Sequence, residues 1–324
     1  MRLLIFCSLF ISSILHSVQT VVMCSDFDLG QSAYAKANER LKLYGIELKE
    51  IDFSKYDQED SLPSDGIIFF NCPWRGKKLL EYPSLQNKRS IFLWEPPTVY
   101  PDLHLPEVLA LFRRVYTWDD SLVDGVHCFK FYYPVLQGMI HDVWPFSEKK
   151  LCTQVSSNKH SSHQNELYSQ REGVIQFFES FPQEDFVFYG YGWEGAGYKN
   201  YGGVVEDKIR TIQRYRFNFC YENIKEIEGY VTEKIFDSFT AGCVPVYWGA
   251  SNIDRYVPRE CFIDRRDFAS LEDLYLFLKN MSEYEYERYL VHIRKFLTSP
   301  EAQLFRREFF DELFFQEILM SARE

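Results

Sequence analysis

Two parallel α/β units facing a cleft are the fold class that this sequence predicts. Three observations carry the prediction. Short apolar strand candidates alternate with stretches of helical periodicity from residue 20 onward. A polar break over residues 147–164 divides that alternation into two halves. The length, 324 residues, is enough for two separate cores. Ligands of such sheets bind beyond the carboxyl ends of the strands, so the loops there are where chemistry is expected.

Residues 20–24 (Thr-Val-Val-Met-Cys) read as the first strand, 32–43 as a helix and 45–51 as a returning strand. An apolar strand follows over 66–71, bounded by Asp65 and Pro73. Two more strands, 90–94 and 114–118, are separated by a helical candidate at 106–112. The stretch 147–164 holds five serines, three lysines and two histidines, and is expected to be a surface linker between domains. Its His160-Ser-Ser-His163 group reads as exposed loop chemistry and not as a metal site.

Beyond the break, 168–180 is a predicted helix and 186–189 a strand, followed by a loop rich in glycine and aromatics over 190–203. A short helix at 204–213 leads to a strand at 217–221; helix 232–241, strand 244–248 and helix 271–279 complete the unit. The last 45 residues are helical and charged, with Phe and Leu recurring through 306–318, the pattern of a helix docking back across a domain face.

Apolar residues make up 46% and charged residues 26%, a globular composition. The 22 Tyr, 29 Phe and 6 Trp imply large aromatic cores, with aromatic walls of a cleft as the functional alternative. Net charge is -11, with 47 acidic against 36 basic residues, which excludes a general nucleic-acid binder. The eight cysteines are scattered and form no disulfide framework; Cys24, Cys72, Cys220 and Cys243 fall in apolar runs where a free buried thiol is expected. Met1-Arg2 followed by an apolar run over 3–15 has the shape of a signal segment over residues 1–19, implying export or membrane association; a hydrophobic first strand is the alternative. Asn280-Met-Ser282 is an N-glycosylation acceptor pattern if the route of export allows it.

The most informative stretch is 221–249. Gly229 supplies a turn, Thr232 is an N-cap candidate, and Glu233 and Lys234 fall in the first turn of the helix. Free backbone N–H groups there favour an anion. A lysine in a first turn needs a partner, which either a phosphate or a carboxylate supplies. Tyr221, Glu222 and Asn223 stand at the end of the preceding strand, facing the same crevice. Ala241-Gly242 and Pro245 read as structural, while Trp248, Gly249 and Asn252 are placed on the far side of the crevice. Residue chemistry alone supports a nucleotide or phosphorylated ligand at a helix N-terminus.

The full pattern is more specific. Phe219-x-Tyr-Glu-Asn223, Gly229-Tyr-Val-Thr-Glu-Lys-Ile-Phe-Asp-x-Phe239 and Ala241-Gly-Cys-Val-Pro-Val-Tyr-Trp-Gly-Ala-x-Asn252 closely resemble the signature of the α-1,3/1,4-fucosyltransferases, glycosyltransferase family 10. Phe262-Ile-Asp264, Asp267-Phe268, Tyr215-x-Phe-Asn-x-Cys220 and Phe188-Tyr-Gly190 extend the resemblance, which covers about residues 147–278.

The resemblance implies a GT-B fold: two Rossmann-like domains facing a cleft, with an acceptor side at 20–146, a GDP-fucose side at 147–298 and a helical tail at 299–324. It implies transfer of fucose with inversion to a GlcNAc or glucose hydroxyl of a glycan acceptor. Glu95 matches the family's base, since it follows a strand and precedes Pro96-Pro97; a solvent-facing strand-end carboxylate is the plain alternative, and Glu81 and Asp119 stand in reserve. Arg171 and Lys234 match the groups that stabilise the departing diphosphate. Glu233 matches the residue that bonds the donor's hydroxyls, and Tyr221, Asn223, Tyr230 and Asn252 match further nucleotide-sugar contacts. Tyr247 and Trp248 are candidates for an apolar patch facing the 6-methyl of fucose.

No metal is demanded, because Trp118-Asp-Asp120 places adjacent carboxylates on opposite faces of a strand; stimulation by a divalent cation stays open. The implied location is the secretory pathway or a membrane surface, Golgi in a eukaryote and the envelope in a bacterium. Two alternatives remain at this point: an inverting GT-B enzyme using another nucleotide sugar, and a non-catalytic glycan-binding module of the same fold. Neither the acceptor, the linkage nor the oligomeric state is written in these motifs.

Overall fold

Among the described residues of the computed structural model, the named strands pair in parallel throughout and form two sheets. The structure describes residues 18–25, 31–51, 64–71 and 77–323. The signal segment expected over 1–19 falls almost wholly outside the described residues, as do Cys72 and the Cys24 side chain.

The first sheet is built from β1 (Gln19–Ser25), β2 (Ile46–Glu50), β3 (Gly66–Phe70), β4 (Arg89–Phe92), β5 (Arg114–Thr117) and β6 (Cys128–Lys130), in the order β2-β1-β3-β4-β5-β6. Its helices are α1 (Gln31–Lys42) and the short α2 (Lys77–Leu80) and α3 (Pro106–Leu109). β3 and β4 are buried along their whole length, as strands covered on both faces must be.

The second sheet contains β7 (Lys150–Val155), β8 (Phe186–Tyr189), β9 (Tyr215–Tyr221), β10 (Val244–Trp248) and β11 (Ile263–Asp264), in the order β11-β10-β9-β7-β8. Around it run α4 (Tyr168–Phe178), α5 (Lys208–Ile212), α6 (Glu233–Thr240), α7 (Leu271–Asn280) and α8 (Glu283–Leu297). β7 is paired with β8 on one side and β9 on the other, so the strand order reverses there. That is the switch point at which a doubly wound sheet opens a crevice. Cys220 and Cys243 are free and buried, as expected.

One expectation is overturned. The stretch 147–164 is not a linker throughout, because it contains β7, a central strand with four consecutive buried residues. Its polar side chains hid it, and their hydrogen bonds explain why they are tolerated. Thr153 Oγ1 donates to the Val187 carbonyl at 2.8 Å, and Gln154 Nε2 donates to Ser156 Oγ at 3.0 Å and to the Arg171 carbonyl at 3.2 Å. The loop character begins only after Val155, where His160 is exposed and His163 half-buried.

The chain returns to the first sheet at its end. Helix α9 (Arg307–Arg323) lays Phe310, Phe314, Phe315 and Ile318 against Val21, Phe70 and Phe92. Each such buried aromatic contributes about 1.5–3 kcal/mol. Glu317 of α9, fully buried, accepts from Arg114 Nε at 2.7 Å, from the Tyr116 hydroxyl at 2.5 Å and from Ser90 Oγ at 2.5 Å. The two passages between sheets run side by side, with the Leu136 N–H donating to the Phe305 carbonyl at 2.8 Å. No helix among the described residues is long and apolar enough to cross a membrane.

Candidate active site

A cavity of about 340 Å³ opens between the two sheets, within the range of small-molecule sites. From the first sheet it is lined by Trp94 and Glu95, just beyond β4, and by Tyr133. From the second it is lined by the ends of β7 and β9 and by the start of α6, together with Arg171 of α4 and Lys208 of α5. Glu95, Arg171, Asn223, Tyr230, Glu233 and Lys234 therefore meet at one place.

Arg171 is held in its pose by backbone and side chain. Its Nε and Nη2 donate to the Tyr221 carbonyl at 3.1 and 2.7 Å, and Nη2 also donates to Asn223 Oδ1 at 2.9 Å. These bonds leave Nη1 uncommitted by them. The guanidinium also lies 5.0 Å from the centre of the Tyr168 ring.

The start of α6 is organised by a carboxylate that sequence reasoning placed in the crevice. Glu222 is instead fully buried beneath it. It accepts from the Thr232 N–H at 2.9 Å and from the Thr232 hydroxyl at 2.7 Å, and lies 3.2 Å from Lys234 Nζ. Thr232 occupies the N-cap position with extended backbone but makes no side-chain cap bond, because its hydroxyl is given to Glu222. Lys234 Nζ also donates to Thr232 Oγ1 at 3.1 Å and to Glu233 Oε1 at 3.2 Å. The protein partner of this first-turn lysine is a carboxylate, buried and not at the surface.

The charges follow from this packing. Burial raises the Glu222 carboxyl, and Lys234 only partly offsets it. Burial works in the same direction on Glu233, but Lys234 and then Lys208 outweigh it and hold that carboxyl at about 2. Lys234 is pushed down by burial and pulled up further by Glu233 and Glu222, so its ammonium stays charged. Burial holds the Tyr133 and Tyr230 hydroxyls well above the usual phenol range, so both remain protonated. The cavity thus has Glu95 on one wall and Arg171, Lys208, Lys234 and the Glu233 carboxylate on the other.

Several expected residues act differently. Asn252 does not line the cavity; its Oδ1 accepts the Gly229 N–H at 2.9 Å and its Nδ2 donates to Asp120 Oδ2 at 2.8 Å, so it ties the Gly229 loop to the first sheet. Tyr221 reaches the wall, but its ring is packed edge-on against Trp248 at 5.5 Å, and its carbonyl is the group that holds Arg171. Tyr247 is core, with its hydroxyl donating to the Tyr230 carbonyl at 3.3 Å, and neither it nor Trp248 lines the cavity. Glu81 is exposed, and Asp119 Oδ1 accepts from the Ser121 N–H at 2.9 Å in its own turn. Neither reserve carboxylate faces the cavity.

Residues that sequence reasoning missed are Trp94, Tyr133, Lys159, Lys208, Tyr191 and the Ser156-Ser157 pair. The serines directly follow β7, so recognising that strand was the signal available for them. Lys208 pairs with Asp237 at 2.6 Å, within the signature stretch. Among the described residues, a carboxylate, imidazole and thiol cluster at Asp124, His127 and Cys128, away from the cavity. Asp124 Oδ1 there is committed to the backbone N–H groups of residues 126, 127 and 128, each at 2.8 Å, a turn and not an ion cage.

Comparison with known proteins bears on the family and the fold. The family model described as glycosyltransferase family 10 (fucosyltransferase) C-term matches residues 145–310. The α-(1,3)-fucosyltransferase FucT of Helicobacter pylori is 25% identical over 153 residues, 47% of this chain and 29% of that protein. The α-(1,3)-fucosyltransferase 4 of Homo sapiens is 30% identical over 146 residues, 41% of this chain and 26% of that one. The 4-galactosyl-N-acetylglucosaminide 3-α-L-fucosyltransferase 9 of Mus musculus is 38% identical over 87 residues, 26% and 24% of the two chains. The chain thus matches less than a third of the length of these curated relatives. A crystal structure of an α1,3-fucosyltransferase superposes with a TM-score of 0.60 at 16% identity, covering 94% of this chain and 91% of that one. The same kind of enzyme with GDP gives 0.57 at 16% identity, covering 95% and 92%. These likenesses show the GT-B fold of two Rossmann-like domains. Since the family model spans just over half of the sequence, the chain belongs to glycosyltransferase family 10, the fucosyltransferases.

Proposed function

We propose that the protein is an inverting fucosyltransferase that moves fucose from GDP-fucose to a GlcNAc or glucose hydroxyl of a glycan, in α-1,3 or α-1,4 linkage. One observation carries this reading: Glu95 from the first sheet and Arg171 and Lys234 from the second line one cavity. Inversion in a single displacement needs a base on one side of the anomeric carbon and charge stabilisation on the other. The acceptor oxygen attacks that carbon opposite the diphosphate while its proton passes to the Glu95 carboxylate. The bond from the anomeric carbon to the β-phosphate oxygen breaks, and GDP leaves with the electron pair. Arg171 and Lys234 take up the developing charge, so no step requires a metal ion. Glu233, held ionised, is suited to accept hydrogen bonds from sugar hydroxyls. A GlcNAc acceptor is supported by the mouse relative, whose name specifies a galactosyl-N-acetylglucosaminide.

In this reading residues 20–146 carry the acceptor, residues 147–298 hold the donor and residues 299–324 form the tail. Export or membrane attachment through the N-terminal segment belongs to the same proposal, and fractionation of cells producing the full chain tests it. The activity is tested by incubating the protein with GDP-fucose and a small glycan panel and detecting the product by mass spectrometry. GDP should bind more tightly than UDP in titration; equal affinity would count against the donor assignment. Glu95→Ala should nearly abolish transfer and leave GDP binding intact.

A further inference from the structure

The peptide that carries Glu95 is gripped by side chains on both sides. Beyond β4, Asn71 Oδ1 accepts the Trp94 N–H at 2.6 Å and the Glu95 N–H at 3.0 Å. The Glu95 carbonyl accepts from His104 Nε2 at 2.9 Å, and the Trp94 carbonyl accepts from the Tyr133 hydroxyl. Three side chains from separate segments thus claim four consecutive backbone groups. Pro96 and Pro97 then restrict the chain just beyond.

Asn71 is the unusual member of this cradle. It directly follows β3, the neighbour of β4, and is fully buried. Its φ of +50° lies in the left-handed region, which asparagine tolerates better than other side-chain-bearing residues. Its own N–H donates to the Phe92 carbonyl at 3.2 Å, which fixes it against the end of β4. The Nδ2 finds no acceptor among the described residues. A buried amide that serves two donors with its oxygen and leaves its nitrogen unpaired is costly. Closing a strand end is the plain account of such a residue. That account does not require both bonds to land on the residue bearing the cavity carboxylate and on its neighbour.

We infer that Asn71 is a positioning residue for the base, with His104 as its counterpart on the carbonyl side. The inference rests on Glu95 being that base. The Glu95 side chain hangs from this peptide, so a displaced backbone shifts the point from which the carboxylate reaches the cavity, and only a less favourable rotamer could recover its place. A misplacement of about 1 Å costs on the order of a hundredfold in rate. Holding the main chain at both its donor and acceptor groups limits that error before the acceptor binds.

Asn71→Gly tests this, because glycine adopts the same φ without strain while the acceptor is lost with the rest of the side chain. Its kcat should fall roughly 10- to 100-fold, while the KM for GDP-fucose and the affinity for GDP stay within about twofold. Asn71→Asp keeps the oxygen and tolerates the conformation, so it should recover kcat to within a few-fold of the parent. Unchanged kcat in Asn71→Gly overturns the inference, as does equal loss in both variants, which would show that the Oδ1 acceptor is not what the site depends on. Glu95→Gln is measured alongside. Full activity in that variant removes the base assignment itself, whereas an inactive Glu95→Gln with a fully active Asn71→Gly overturns only the role of Asn71. Should Asn71→Gly not fold, His104→Phe decides: it keeps a ring beside Trp118 but loses the bond to the Glu95 carbonyl. The same kcat loss at unchanged KM is then expected, and parental kcat overturns the inference.

Discussion

Lys234 Nζ lies 3.2 Å from Oε2 of Glu222, a carboxylate with no solvent exposure. The pair sits beneath the first turn of α6, so the helix start carries its own buried counter-charge before any ligand arrives. Glu222 also receives both the N–H and the hydroxyl of Thr232. Lys234 is thereby aimed at the cavity by a partner behind it and by Glu233 beside it. In the proposed donor site, a diphosphate would meet a lysine whose position is already set.

Removing that partner should be expensive for the fold. Breaking a buried ion pair by deleting one member typically costs about 3–5 kcal/mol. Glu222→Ala is expected to lose stability in that range in urea unfolding, and Glu222→Gln less, since it can still accept from Thr232. A loss in Glu222→Ala below about 1 kcal/mol would show that the pair does not hold the helix start.

Arg171→Lys examines the same wall of the cavity from α4. A lysine cannot reproduce the fork that grips the Tyr221 carbonyl through Nε and Nη2 while leaving Nη1 uncommitted. A hydrogen bond to a charged group contributes about 1.5–3 kcal/mol, so GDP affinity should fall roughly 10- to 100-fold by calorimetric titration. Unchanged affinity would remove Arg171 from the phosphate site.

The contrast between these two residues shows what the sequence could and could not reveal. Arg171 and Lys234 were singled out through the family resemblance, which rests on side-chain identities written in the chain, and both line the cavity. What holds them is not written there. Arg171 depends on a backbone carbonyl, and Lys234 on a glutamate that looked like a crevice residue until its burial was seen. Asn252 was misread for the same reason: its two polar atoms are spent on Gly229 and Asp120, a contact across 132 positions of sequence. Strand β7 was missed because polar residues satisfied inside a sheet look like loop residues in a list. The alternation of strands and helices elsewhere was legible, since burial on both faces leaves long apolar runs.

Gly229→Ala should destabilise the protein and weaken donor binding together. Its φ is +83°, and an added Cβ would stand 2.3 Å from the Trp118 carbonyl oxygen, a backbone atom that cannot swing away. The loop to Thr232 would have to shift from the first sheet, carrying Tyr230 with it. Gly125→Ala is the control: its φ is +71° but nothing lies within 4 Å of an added Cβ. That variant should lose only the conformational cost, about 1–2 kcal/mol, while Gly229→Ala loses more in unfolding experiments. Equal losses would mean that the contact with Trp118 carries no energy.

Lys149 supplies a pH dependence whose sign can be worked out. Its side chain is buried at the base of the second sheet, where Nζ donates to the Gly242 carbonyl at 2.5 Å and to the Tyr286 hydroxyl at 3.1 Å. Burial lowers the ammonium from its ordinary 10.5 to about 8. Between those values the unfolded chain holds a proton that the folded protein has released, so the unfolded state binds more protons. Stability therefore rises with pH across that window. At about 1.36 kcal/mol per pH unit, the gain from this group between pH 8 and 10 is on the order of 2 kcal/mol. Urea unfolding of the parent and of Lys149→Met should diverge accordingly: the difference in stability between them should shift in the parent's favour as pH rises from 8 to 10. A difference that stays constant across that interval would show that Lys149 keeps an ordinary ammonium in the folded protein.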